Sequence, residues 1–111
     1  MALGRFDEAI TAYDQVLGSG NDLLARSARL GKAEAQLRAG QFDPAIATLK
    51  QIVDQKDANL PAEAVLMELA RAYRLAGKTD DARKTLTQVV EQHADTQYAT
   101  DARSELEKLK G

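Results

Sequence analysis

The sequence lacks several residue types on which particular functions depend. It has no cysteine and one histidine, His93, which excludes disulfides and thiolate chemistry and leaves too few ligands for a typical zinc site. The net charge of −2 provides no overall basic field to attract nucleic acid or an anionic membrane. Arg26, Arg29 and Lys32 do not change this expectation, because aromatic residues are scarce. No apolar run approaches the roughly 20 residues that span a bilayer.

Residues that could support catalysis are equally few. A Ser–His–Asp triad would have to include His93, which lies among polar residues typical of an exposed turn. Asp80 and Asp81 are adjacent, but adjacent helix residues point about 100° apart, and both lie where acids stabilise a helix N-terminus. The GSG at 18–20 is not followed by the Lys-Ser or Lys-Thr pair of a phosphate-binding loop. We therefore predict no catalytic, metal or cofactor site and no enzymatic activity.

What the chain does contain is a repeat. Abundant alanine and leucine, with only two prolines and seven glycines, favour helix over strand. Similar stretches recur with their glycines 36 and 37 residues apart, a period typical of stacked helical repeats. These stretches are LGRFDEAITAYDQVL at 3–17, AGQFDPAIATLKQIV at 39–53 and AGKTDDARKTLTQVV at 76–90, with glycines Gly4, Gly40 and Gly77.

The second copy shows how each unit is expected to fold. Its apolar residues recur at the spacing of one helix face, and a small alanine among them allows close helix approach. Gly40 supplies the left-handed conformation that ends a preceding helix. Asp43 and Pro44 both suit the first turn of the next helix. The apolar stripe consists of Phe42, Ala45, Ile46, Leu49, Ile52 and Val53.

Helical patterns also fill the segments around these copies. We predict helices at 22–39, 60–76 and 95–110, with Pro61 in the first turn of the second, which gives six helices in total. The predicted stripe of the segment 60–76 is Leu66, Leu69, Ala70 and Tyr73, and that of the last segment is Tyr98, Ala102, Leu106 and Leu109.

This arrangement resembles the tetratricopeptide repeat (TPR). The matching positions are Ala33, Gly40, Phe42, Ala45, Leu49 and Ile52 in the second unit and Leu69, Ala70, Tyr73, Gly77, Ala82, Leu86 and Val89 in the third. The resemblance implies an all-α, right-handed α-solenoid of about six antiparallel helices. We expect one repeat domain with units at about 1–20, 21–57 and 58–94 and a terminal capping helix at 95–111. Because the first unit lacks its first helix, we expect the chain to be a fragment of a longer protein.

The orientation of the helix at 22–39 is left open by the sequence. Alignment on the glycines places Arg29, Lys32 and Gln36 where the third unit has apolar residues. Two apolar faces compete on this helix. They are Leu30, Ala33 and Leu37 on one side and Leu24, Ala28 and Ala35 on the other.

The resemblance also implies a partner-binding groove lined by the first helices of the hairpins. Arginine above an apolar floor suits an acidic-hydrophobic protein or peptide segment, because its planar fork pairs with carboxylates. The alternative is that these charges form a solvated helix face. The predicted groove residues are Met67, Glu68, Arg71, Arg74 and Leu75, with Glu34 and Arg38 if the preceding helix is aligned in the usual way.

A second surface is predicted on the first helix. Without a partner helix in front, its apolar stripe stays open and favours homo-oligomerisation. We expect the chain to be a non-catalytic interaction module that holds a partner protein segment along the concave face of the superhelix. The alternative is a structural segment of a larger assembly factor that serves spacing and oligomerisation. The connector VVEQHADTQYATDA is similar to one in bacterial cell-envelope TPR proteins, which favours a periplasmic or membrane-associated location over the cytoplasm. The open apolar stripe of the first helix consists of Phe6, Ile10, Tyr13 and Leu17.

Overall fold

The computed structural model describes residues 3–18, 22–54 and 61–110, which form six α-helices and no strand. The predicted all-α, helical-repeat fold class is confirmed. No helix within these ranges is both long and apolar enough to span a bilayer. Leu60, where a helix start is predicted, and Ser19 and Gly20 of the GSG stretch lie outside these ranges. The helices are α1 Leu3–Leu17, α2 Asp22–Arg38, α3 Phe42–Asp54, α4 Ala62–Leu75, α5 Thr79–Gln92 and α6 Gln97–Lys110.

The helices belong to two compact units, Met1–Asp54 and Gln55–Gly111. In the first unit, α2 contacts both α1 and α3. In the second, α5 contacts both α4 and α6, and α4 also contacts α6. Each unit is therefore built of successive helical hairpins that share their middle helix.

The repeated glycines end helices α2 and α4, as predicted. Gly40 and Gly77 both have a φ of 79°, the left-handed conformation that a side chain disfavours. In each turn two backbone N–H groups bond back to carbonyls of the last helical turn, which satisfies acceptors that the helix itself leaves open. The bonds are Gln41 N to Gln36 O (2.8 Å) and Gly40 N to Leu37 O (3.1 Å), then Lys78 N to Tyr73 O (2.8 Å) and Gly77 N to Arg74 O (3.1 Å).

Small and aliphatic side chains form the core of each unit. Ala45 and Ala82 are fully buried, which is consistent with the close helix approach predicted for these positions. Leu49 and Val89 are the largest side chains that are almost completely buried. The predicted stripe of α4 is buried as well, together with Val65 and Ala72. Helix α4 is buried over a wider arc than one stripe because it contacts two helices of its own unit.

The structure settles the orientation of α2 by burying both of its faces. Ala28 and Ala35 are buried on one side and Ala33 and Leu37 on the other, because α2 contacts helices on two sides. The Leu24 side chain, predicted on the same face as Ala28 and Ala35, is not among those that the structure describes.

Two of the three polar residues that made α2 ambiguous, Gln36 and Lys32, have a structural explanation. Gln36 is only 5% exposed, and its Oε1 accepts a 2.9 Å hydrogen bond from Thr48 Oγ1 on α3. Lys32 Nζ lies 2.6 Å from Asp14 Oδ1 on α1. A buried polar residue is tolerated when its hydrogen bonds are made inside the protein. Gln36 thus occupies the position of buried Tyr73 through a hydrogen bond rather than through apolar packing.

Two features of the helices differ from the prediction. Tyr98 was expected in the apolar stripe of α6, but it is 36% exposed, and the stripe begins with buried Ala99 instead. The observed stripe is Ala99 and Ala102, which are fully buried, followed by Leu106 and Leu109, which are half-buried. Gly4 lies in the first turn of α1 rather than in a turn before it, since α1 already begins at Leu3.

Candidate functional site

A groove in the second unit lies between α4, α5 and α6. It has a volume of about 180 Å³, and we call it the α4–α6 groove. Its lining residues are Met67, Glu68, Ala70, Arg71 and Arg74 on α4, Ala82 and Leu86 on α5, and Glu105 on α6. The structure thereby brings together four of the residues predicted for a partner-binding groove, and adds four that the sequence reasoning did not include.

The floor and the rim of the groove differ in polarity. Ala70, Ala82 and Leu86 are buried and form an apolar floor. The helix period places Arg71 and Arg74 away from the buried stripe of α4, and both are exposed at the rim. Met67 is half-buried between these layers, where its flexible thioether side chain can adjust to a ligand. The groove therefore offers an apolar depression edged by charge.

The charges around the groove are largely balanced by neighbours. Arg71 Nη1 lies 3.6 Å from Glu68 Oε2, and Glu105 Oε1 lies 3.3 Å from Lys108 Nζ. The Arg74 side chain differs, since it makes no hydrogen bond or ion pair with any other residue in the described ranges. Arg74 is thus the cation at this rim that is available to an incoming anion.

The other predicted groove residues lie elsewhere. Leu75 is 40% exposed at the end of α4 and does not line the α4–α6 groove. Glu34 and Arg38 lie on α2 in the first unit, where Arg38 Nε donates a 3.2 Å hydrogen bond to Glu34 Oε1. The pair is a local i, i+4 contact on one helix surface.

The predicted self-association stripe on α1 is partly covered by α2. Phe6, Ile10, Tyr13 and Leu17 are all half-buried rather than exposed. The Tyr13 ring lies over Gly31, where an added Cβ atom would approach its Cζ to 2.5 Å. The stripe is thus in use within the first unit, with part of its surface left accessible.

His93 differs from the prediction of a solvated turn residue. It is half-buried directly after α5, and its Nδ1 lies 3.3 Å from Glu63 Oε2 in the first turn of α4. Its carbonyl oxygen also accepts a 2.7 Å hydrogen bond from Thr96 Oγ1. The prediction was wrong because it considered only sequence neighbours, while Glu63 comes close through the packing of α5 on α4. Across the described part of the chain, no cluster of three or more acidic or histidine residues could hold a metal ion.

Comparison with known families agrees with the geometry. Two family models match, over residues 1–62 and 64–96, and both describe the tetratricopeptide repeat. Repeats of this type generally mediate protein–protein interactions and are typically non-catalytic scaffolds. A search of curated proteins gives no match. Since the first match alone spans more than half of the sequence, the chain belongs to the tetratricopeptide repeat family.

Proposed function

We propose that this protein is a non-catalytic interaction module that holds a segment of a partner protein in the α4–α6 groove. One observation carries the proposal, namely an apolar floor that lies directly beneath an exposed arginine rim. A surface of this kind can bury an apolar side chain and pair with a carboxylate in the same segment. An acidic-hydrophobic partner segment therefore fits the groove best.

The size of the groove supports an apolar anchor. An enclosed cavity of about 150 Å³ holds a benzene molecule, and the α4–α6 groove has about 180 Å³. One large aliphatic or aromatic side chain therefore fits it. Burying such a side chain contributes about 1.5–3 kcal/mol. Arginine adds specificity, because its planar fork donates two parallel hydrogen bonds to a carboxylate.

Residues outside the groove complete the proposed contact set. Leu75 is an exposed apolar residue one turn beyond Arg71 on α4, where it extends the apolar contact along the helix. Glu34 and Arg38 remain proposed contacts of the first unit, where their paired charges would meet polar groups of a partner.

The proposal is tested by affinity capture from the source cell with three forms of the chain. Met67→Glu places a charge inside the groove, and Thr100→Glu places the same charge on an exposed site of α6 that does not line it. We expect a specific protein to be retained by the wild type and by Thr100→Glu but lost by Met67→Glu. Equal recovery by all three forms would show that the groove does not bind it. Circular dichroism establishes that each variant is folded.

The alternative function is a spacing or oligomerisation segment of a larger bacterial envelope assembly factor. The half-burial of Ile10 and Tyr13 favours it, because the equivalent Ile46 and Leu49 on α3 are buried. The other two stripe residues, Phe6 and Leu17, are half-buried like their equivalents Phe42 and Val53. In this case a second copy of the chain covers the remaining α1 surface. Phe6→Asp would then lower the molar mass measured by sedimentation equilibrium. A wild type that is monomeric at every concentration would contradict the alternative.

A further inference from the structure

We propose that the α4–α6 groove selects partner segments with a single carboxylate next to one large apolar side chain, and that Arg74 receives that carboxylate. This inference rests on the function proposed above and specifies its ligand. It differs from a general preference for acidic segments, since the two rim arginines have different roles.

The two rim arginines differ in whether they already have an anionic neighbour. Arg71 already has an anionic neighbour, Glu68, at 3.6 Å on the same helix. Arg74 lies one turn further along α4 and has no such neighbour among the residues that the structure describes. A partner carboxylate gains a full ion pair at Arg74, whereas at Arg71 it competes with Glu68. The geometry therefore assigns charge recognition to Arg74.

The second step is the acidic part of the lining. Glu68 and Glu105 line the same groove as the two arginines, so the formal charges of the lining cancel. Lys108 lies 3.3 Å from Glu105 but is not itself part of the lining. A second or third carboxylate in the partner would enter a groove whose other arginine, Arg71, already has Glu68 as an anionic neighbour. Glu68 and Glu105 in the same lining would then repel it, since charges interact over roughly 8 Å at physiological salt. The groove thus accepts one negative charge and disfavours a run of them.

The third step is the place of the apolar side chain. Leu86 and Ala82 form the buried floor, and Met67 flanks it beside the arginine rim. An apolar side chain that enters between Met67 and Leu86 brings the neighbouring residues of its own segment to the rim. A carboxylate one helical turn or one or two residues away can then reach Arg74. The recognised unit is therefore short, and it combines one anchor with one acid.

The experiment uses a display library of random peptides selected on the wild-type protein, with Met67→Glu as the counter-selection. We expect enrichment of one acidic residue close to a Leu, Ile, Phe or Met. The best peptide is then synthesised in two forms, one with its Asp or Glu (the acid peptide) and one with Asn or Gln at that position (the amide peptide). Both peptides are titrated against the wild type, Arg74→Gln and the matched control Arg71→Gln. Removing the acid should weaken binding to the wild type about tenfold.

The remaining arms separate the two arginines. On Arg74→Gln the acid and amide peptides should bind equally, while on Arg71→Gln the difference of about tenfold should persist. If both variants lose the affinity difference between the acid and amide peptides equally, the single-carboxylate inference is wrong. It is also wrong if the library enriches peptides with runs of acidic residues. If Met67→Glu abolishes binding but Arg74→Gln still binds the acid peptide about tenfold better than the amide peptide, the groove binds the peptide but the role of Arg74 is wrong. If no peptide prefers the wild type over Met67→Glu, the proposed function fails as well.

Discussion

The contact between Tyr13 and Gly31 allows a quantitative test of how α1 packs on α2. Glycine inside a helix costs up to about 1 kcal/mol relative to alanine, so Gly31→Ala should stabilise α2 if nothing else changed. An added Cβ, however, would lie 2.5 Å from Tyr13 Cζ and 2.7 Å from its hydroxyl oxygen. Ordinary carbon contacts are about 3.5–4 Å, so the ring must move away.

The loss on moving the ring can be estimated from its burial. Fully burying a large apolar side chain contributes about 1.5–3 kcal/mol, and Tyr13 is half-buried, so displacement costs about 1–1.5 kcal/mol. This loss cancels the gain in helix propensity. Gly31→Ala alone should therefore leave the free energy of unfolding unchanged or lower it by up to about 0.5 kcal/mol. In a Tyr13→Ala background the clash is absent, and the same change should stabilise by about 1 kcal/mol.

The assay is urea denaturation of the wild type, both single variants and the double variant, followed by far-ultraviolet circular dichroism. The four free energies give a coupling energy between the two positions, which we expect to be about 1 kcal/mol or more. A coupling below about 0.3 kcal/mol would mean that the two residues act independently. The Tyr13 ring would then not lie on Gly31, and the described packing of α1 would be wrong.

Three further predictions concern stability and are measured by the same denaturation assay. Gly77→Ala should lower the free energy of unfolding by about 1 kcal/mol because of its positive φ, and Gly77→Asn should cost less, since asparagine tolerates that conformation. Thr48→Val should cost about 1–3 kcal/mol, because buried Gln36 loses its hydrogen-bond donor. Leu49→Ala should cost about 2–5 kcal/mol, as its side chain is almost fully buried. A cost near zero would contradict the corresponding contact in each case.

The elements predicted from the sequence are those that local chemistry determines. Gly40 and Gly77 marked the helix ends because only glycine adopts a positive φ without penalty, and the helix period identified the buried stripe of α4. The orientation of α2 was not predictable in this way. Its two faces are buried by two different helices, and the burial of Gln36 depends on Thr48 from outside α2.

The same distinction applies to the candidate site. Arg71 and Arg74 could be placed on one side of α4 from the helix period alone. The contribution of Glu105 to the groove could not, because it requires α6 to pack beside α4. The Glu68 contact that distinguishes Arg71 from Arg74 follows an i, i+3 spacing that the sequence contains, but spacing alone does not show which neighbours pair.

The most direct test of the central claim, that the α4–α6 groove holds a partner protein, is site-specific photocrosslinking in the source cell. A photoreactive amino acid is placed at Met67 inside the groove and, in a separate form, at exposed Thr100 on α6. We predict a discrete crosslinked protein from position 67 that is absent from position 100. No crosslink from position 67, or the same products from both positions, would contradict the claim.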